Sequence, residues 1–209
     1  TNEAYDLEAV KAQIKEYKVR RVVEKVTCKA VSEFQPGDLG TEVVPVKKKV
    51  AVLDLGTKNN IIRCLLKRGC SVKVFPAMSN AEDIIAMNPD GIMLTNGPGD
   101  PAECVTIIEQ IKKLYASGIP ILAICLGHKL MALANGAKTY KMKYGHRGVN
   151  HPVKDLESGR VYISSQNHGY VVDDTTIDPE IAKVRFINVN DKTVEGLSYL
   201  KQNVFTVQF

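Results

Sequence analysis

Ile121 to Ile124 form an unbroken apolar run, a pattern that suits a central parallel strand buried on both faces. Lys49 to Gly56, Ser71 to Pro76 and Gly91 to Thr95 read as three earlier strands. Helical stretches separate them: Lys58 to Arg68, ended by Gly69; a short one from Ala81 to Met87; and Glu103 to Ala116. From His128 onward, Leu130, Leu133 and Ala134 recur on one helical side. Strand and helix in alternation predict an α/β fold: an open, mostly parallel sheet with helices on both faces. Past this region Arg160 to Ser165 and Val184 to Val189 read as strands, and Val194 to Leu200 with Asn203 to Phe209 as a short antiparallel closing hairpin.

Ahead of the sheet, Leu7, Val10, Ile14 and Tyr17 are spaced as on a helix over residues 1–18. Arg20 to Val31 is basic and β-branched, and Ser32 to Pro45, rich in Gly, Pro and acidic residues, reads as a linker. The main domain is therefore expected near Lys47, spanning 47–209, with 1–46 a remnant of a preceding domain. The chain opens without Met and closes on a strand-like run, Phe205 to Phe209, so both ends look cut.

The 209 residues suit one α/β domain with a short appendage. A net charge of +5 comes from scattered lysines, with no Arg-rich face or interleaved aromatics, which argues against nucleic-acid binding. No run reaches membrane-spanning length and no signal peptide is present, so no membrane role is expected. The five cysteines lack the close pairing of a zinc site or a disulfide framework, and a reducing cytoplasm is the expected location.

Chemistry gathers where the buried strand ends. Cys125 sits at a strand-to-helix turn between the small residues Ala123 and Gly127, the nucleophile-elbow pattern with Cys in place of Ser. A helix N-terminus there favours the thiolate, and the N–H of Leu126 can serve as one arm of an oxyanion hole. The loop Asn96 to Pro101 ends the neighbouring strand. Gly97 and Gly99 let its backbone approach a ligand, although every residue in it is also a turn former. In open sheets of this kind ligands bind beyond the carboxyl ends of the strands, so this loop and Cys125 should share one crevice. His128, one turn past Cys125, is badly placed to be its base, and His168 follows a strand in a setting more often structural than catalytic. His146 and His151 have no acidic or thiol partner at ligand spacing, so no metal is expected.

Four separated segments agree with one family: Thr95 to Pro101, Ile124 to His128, Lys143 to Pro152 and Ser165 to Tyr170. Together with the run Val52 to Ile61 they resemble class I glutamine amidotransferases, and within them the glutaminase domain of carbamoyl-phosphate synthase small chains. The resemblance covers about Lys47 to Phe209 and implies a flavodoxin-like sheet. It implies that Cys125 attacks the side-chain amide of glutamine, that Gly97 and Leu126 form the oxyanion hole, and that Gly97, Gly99, Leu126, Lys129, Asn167, Gly169 and Tyr170 hold the substrate. Ammonia would pass to a large synthetase chain using ATP and Mg, with no cofactor in this chain itself. Three departures stand out. Ala123 replaces the usual Gly, Lys129 replaces the usual Gln, and the family's catalytic His and Glu lie just past Val207-Gln-Phe209, so the 209 residues alone are expected to be nearly inactive. An amidotransferase for anthranilate or GMP synthesis would share the elbow but should lack the Lys143 to Pro152 run. A non-catalytic binding or regulatory domain of the same fold would discard Cys125.

Overall fold

The computed structural model describes residues 5–17 and 20–209. Its centre is a parallel array. β2 (Lys48–Asp54), β3 (Cys70–Pro76), β4 (Gly91–Leu94) and β5 (Ile121–Ile124) pair side by side in the order β3-β2-β4-β5, all parallel. The connections run through α3 (Asn59–Leu66), α4 (Ala81–Ala86) and α5 (Val105–Ala116). α6 (Leu126–Ala134) follows β5 directly.

Helices cover both faces. On one, Ile84 of α4, Ile107, Ile111 and Leu114 of α5, and Leu126, Leu130 and Met131 of α6 pack against Leu53, Leu94 and Ala123 of the strands. On the other, Ile62 and Leu66 of α3 meet Val52, Val72, Val74 and Met93. Apart from Ala123, each of these buried side chains contributes on the order of 1.5–3 kcal/mol of transfer free energy. The second layer thins toward β5: Ile121 and Ala123 are buried, but Leu122 is 41% exposed. The elbow strand is thus buried on one face rather than on both.

The C-terminal hairpin differs from its expected place. β9 (Val194–Tyr199) and β10 (Val204–Val207) are antiparallel to each other, as anticipated, but β10 also pairs in parallel with β5, Val204 opposite Ile121 and Val207 opposite Ile124. It is an interior strand that carries the sheet onward. Beyond β9 the sheet continues antiparallel through β8 (Ala182–Asn188) to β6 (Thr139–Asp155) and, at the edge, β7 (Val161–Val172), making ten strands in the order β1-β3-β2-β4-β5-β10-β9-β8-β6-β7. The long β6–β7 ribbon, with register shifts between Lys141 and His146 and between Gly148 and His151, was not anticipated over Ala137 to Asp155. Glycines and polar residues interrupt its apolar pattern.

The segment read as a linker is also structured. β1 (Ser32–Phe34) pairs antiparallel with β3 at the opposite edge. Just before it, α2 (Val22–Val26) buries Val23 in the core, Thr27 Oγ1 donates to the Asp54 carbonyl, and Cys28 N–H donates to the Asp54 carboxylate at 2.7 Å. α1 (Leu7–Glu16) forms as its periodicity predicts, with Asp6 capping its N-terminus, but none of its residues is buried. Residues 1–4 and 18 of the expected helix lie outside those described.

Candidate active site

The turn from β5 into α6 places Cys125 at φ 53°, ψ −100°. A non-glycine residue held there stores about 1–3 kcal/mol of strain, which the surroundings must over-determine. They do so on both sides. Cys125 N–H donates to the Val207 carbonyl at 2.8 Å, locking the turn to β10, and Gly127 N–H donates to the Thr95 carbonyl at 3.1 Å. Gly127 must lack a side chain: a Cβ would lie 2.6 Å from the Leu94 carbonyl oxygen. Helix α6 therefore starts directly against β4, and the N–H of Leu126, first in the helix, has no intrahelical acceptor.

The Asn96 to Pro101 loop is fixed across the same junction. Leu55 N–H donates to Thr95 Oγ1 at 3.0 Å, and Asn96 Nδ2 donates to the Gly56 carbonyl at 3.0 Å. A Cβ on Gly97 would collide with the Leu55 carbonyl oxygen and lie 2.7 Å from Leu126 Cδ2, so only glycine lets this backbone sit beside the elbow. Gly99 adopts φ 95°, the left-handed region that glycine tolerates.

Cys125, Gly97, Gly99, Lys129, Asn167, Gly169 and Tyr170 all line one cavity of about 1110 Å³, far larger than a free amino acid needs. The side chain of Leu126 points into the core instead, which leaves its backbone N–H as its contribution. Asn167 and Gly169 alternate with inward Gln166 and His168 along β7. A Cβ on Gly169 would meet the end of Arg147 at 3.5 Å, an ordinary contact, so packing alone does not demand a glycine there. Burial pushes the Tyr170 hydroxyl pKa up, and the nearby Asp100 carboxylate adds to the effect.

Lys129 is almost fully buried. Its Nζ lies 3.8 Å from Cys125 Sγ and donates to Gln208 Oε1 at 3.0 Å. Burial lowers its pKa, while Cys125 and Glu195 act the other way. Among the described residues Lys129 is the hydrogen-bond partner of the sulfur. His128 is not. Its Nδ1 is bonded to Thr206 Oγ1 at 2.8 Å, and full burial beside Lys129 pushes its pKa down to about 3, so it is a neutral core residue. Among the other thiols, Cys104 is pushed up to about 11 by burial and by Glu103 and Asp100, and burial also raises Cys28 and Cys70.

Sequence reading gave His146 no acidic partner. Folding supplies two, because β6 lies beside β7 and β8, and β8 lies beside β9. His146 Nε2 is 2.8 Å from Asp191 Oδ2, and its Nδ1 is 3.2 Å from Glu195 Oε1. Glu195 stands within the otherwise apolar run Val194 to Leu197, and that isolated carboxylate was the legible signal of a buried polar partner. Among the described residues, His146, His168 and Glu195 form the group of metal-type donors close enough to converge. Their donor atoms are engaged in hydrogen bonds with one another and with Gln166.

An α/β sheet with a cysteine at a strained strand-to-helix turn, beside glycine loops at strand carboxyl ends, has the geometry of a nucleophile elbow. The family profile described as "Glutamine amidotransferase class-I" matches residues 51–209. The chain belongs to that family. It is 45% identical over 192 residues to the carbamoyl phosphate synthase small chain of Neisseria meningitidis (serogroup A), covering 90% of this chain and 51% of the relative. It is 49% identical over 162 residues to the protein of that name from Listeria innocua, covering 78% and 44%. It thus spans about half the length of these curated relatives. Among solved structures, a glutamine amidotransferase from Thermotoga maritima superposes with a TM-score of 0.59 at 20% identity over 77% of this chain and 74% of that one, a likeness of fold.

Proposed function

We propose that this chain is the glutamine-hydrolysing part of a carbamoyl phosphate synthase small chain. The observation that carries the reading is the Cys125 elbow, strained, facing Gly97 and opening into the cavity that Asn167, Gly169 and Tyr170 share. The relatives' printed name supports the choice of synthase.

In this reading the Cys125 thiolate attacks the side-chain amide carbon of glutamine. The carbonyl oxygen becomes an oxyanion held by the N–H groups of Gly97 and Leu126. The C–N bond then breaks, ammonia leaves with an added proton, and water cleaves the glutamyl thioester to glutamate. Lys129 stabilises the thiolate before attack. The resemblance assigns the acid–base work to a His and Glu placed after Phe209. Ammonia is consumed by a large synthetase partner, where ATP and Mg act. The reaction is placed in the cytoplasm.

Ammonia release from glutamine by this chain, and by one extended with those two residues in native sequence, tests the reading. Release in the extended chain that disappears with Cys125→Ala is expected, with orders of magnitude less from the 209 residues alone. Equal, Cys125-dependent release from both would place the base among the histidines present here.

A further inference from the structure

Behind the strand that carries Asn167, Gly169 and Tyr170 lies a buried junction whose hydrogen bonds do not balance unless a proton is added. His168 Nδ1 faces the Tyr170 carbonyl at 3.0 Å and must donate, so in a neutral ring its Nε2 carries a lone pair. Gln166 Nε2 faces Glu195 Oε2 at 2.9 Å and Ser164 Oγ at 3.1 Å, which fixes it as donor and turns Oε1 inward as acceptor. His146 Nε2 faces the Asp191 carboxylate and must donate. Neutral His146 would then aim a lone pair from Nδ1 at three acceptors: Gln166 Oε1 at 2.9 Å, His168 Nε2 at 3.2 Å and Glu195 Oε1 at 3.2 Å. Four lone pairs converging in a buried site are strongly repulsive.

A proton on His146 Nδ1 relieves all three contacts to that atom, while His168 Nε2 and Gln166 Oε1, 2.9 Å apart, remain two acceptors in contact. Burial pushes the Glu195 pKa up, but both its oxygens face amide donors that act the other way, Oε2 from Gln166 and Oε1 from Asn188 at 3.3 Å, and such a carboxylate has no oxygen free to carry the proton. We infer that His146 is an imidazolium whose Nδ1–H is shared by Gln166, His168 and Glu195, and that it is a positioning residue holding the Asn167 to Tyr170 strand in shape for glutamine. This role rests on the proposed reading of the site as a glutamine pocket.

The groups facing His146 from each neighbouring element agree with a positive charge there. Asp191 follows β8, Glu195 lies on β9, neutral His168 is on β7, and His151 of β6 packs its ring 4.9 Å away. Lys129 of α6 influences the cluster through His168 and Glu195. The local backbone is built for the contact. β6 bulges between Lys141 and His146, putting His146 directly opposite His168, and Gly145, at φ 72°, sits so close to the His168 carbonyl that a Cβ could not fit. Gln166 and His168 are buried, yet they border the same cavity as Asn167, Gly169 and Tyr170. When His146 loses the shared proton, those two side chains are pushed apart and glutamine loses its preformed strand.

The tests use the 209-residue chain and a chloromethyl ketone analogue of glutamine. The Cys125 thiolate displaces chloride from this reagent, forming a C–S bond as the C–Cl bond breaks. Saturation kinetics separate half-saturating concentration, which reports binding, from the limiting rate, which reports the thiolate. Long-range proton–nitrogen NMR of the ring nitrogens reads protonation directly. The expected result is His146 protonated on both nitrogens and His168 on Nδ1 alone at neutral pH. The half-saturating concentration should rise about ten- to a hundredfold as His146 loses its proton. Glu195→Gln replaces the carboxylate with an amide whose NH2 can donate to neutral His146 Nδ1. Its NH2 gives up the 3.3 Å contact from Asn188 Nδ2, so binding should weaken somewhat at every pH, but the rise should flatten, which mere loss of packing would not do. Asp191→Asn should shift the rise to lower pH. A neutral His146 at neutral pH, or an undiminished rise in Glu195→Gln, overturns the inference. Absence of saturable Cys125 labelling at any pH would instead overturn the glutamine-pocket reading, and the positioning role with it.

Discussion

Lys129 Nζ lies 3.8 Å from Cys125 Sγ, one turn along the helix that the cysteine opens. A buried amine and a thiol this close hold their protons jointly: each charged form stabilises the other, and burial alone would favour neither. A thiolate at this position also meets the N-terminus of α6. Lys129→Met, similar in reach but without charge, should therefore move the pH–rate profile of Cys125 carboxymethylation by iodoacetate upward. A loss of about tenfold in rate near neutral pH per unit of thiol pKa is expected. An unshifted profile would mean that the amine does not hold the thiolate.

Lys129→Gln restores the residue the resemblance leads one to expect. Gln both donates and accepts, whereas the Lys ammonium only donates and repels the ammonium of an amino-acid substrate. In a chain extended past Phe209, this change should lower KM for glutamine, while kcat near neutral pH falls because the charge beside the sulfur is lost. An unchanged KM would show that the side chain does not meet the substrate.

Gly97→Ala should distort the oxyanion side of the cavity, because its Cβ would strike the Leu55 carbonyl and Leu126. Backbone cannot yield as a flexible side-chain end does. A stability loss of about 1–3 kcal/mol is expected in denaturant melts. Alkylation by the glutamine chloromethyl ketone should fall far more than alkylation by iodoacetamide. Equal losses would point to general unfolding around the elbow.

Asp54 ties the segment before β1 to the sheet by accepting N–H bonds from Cys28, Gly56 and Thr57. Burial raises its pKa, but these donors outweigh burial and hold the carboxyl below its usual value. A depressed folded pKa means the stabilisation is present above the unfolded value of about 3.9 and is lost as pH falls through the folded one. Asp54→Asn should lower Tm at pH 7, and the gap to wild type should close as pH drops below about 4. A gap that stays constant with pH would mean that the ionised carboxylate is not what the Asn variant loses.

The parallel core was legible because apolar runs of strand length and helical periodicity are local properties. The elbow was legible because a small-x-Cys-x-Gly turn needs only neighbours in sequence. What escaped depends on distant pairing. β10 looks like half of a hairpin, and nothing near Val204 signals that it adds in parallel to β5. Ser32–Phe34 is too short and too polar to register as a strand until β3 offers its edge. Leu122 reads as buried because periodicity cannot say where a covering helix ends. The His146 cluster is assembled from β6, β7, the Asn190 to Thr193 turn and β9, so no spacing rule could find it.

The account rests on Cys125 being the nucleophile of a glutamine pocket. Peptide mapping after limiting treatment with the glutamine chloromethyl ketone, with and without excess glutamine, tests that directly. One label per chain on Cys125, blocked by glutamine and absent in Cys125→Ala, is the predicted result. Label on exposed Cys64, or label on Cys125 that glutamine does not slow, would contradict it.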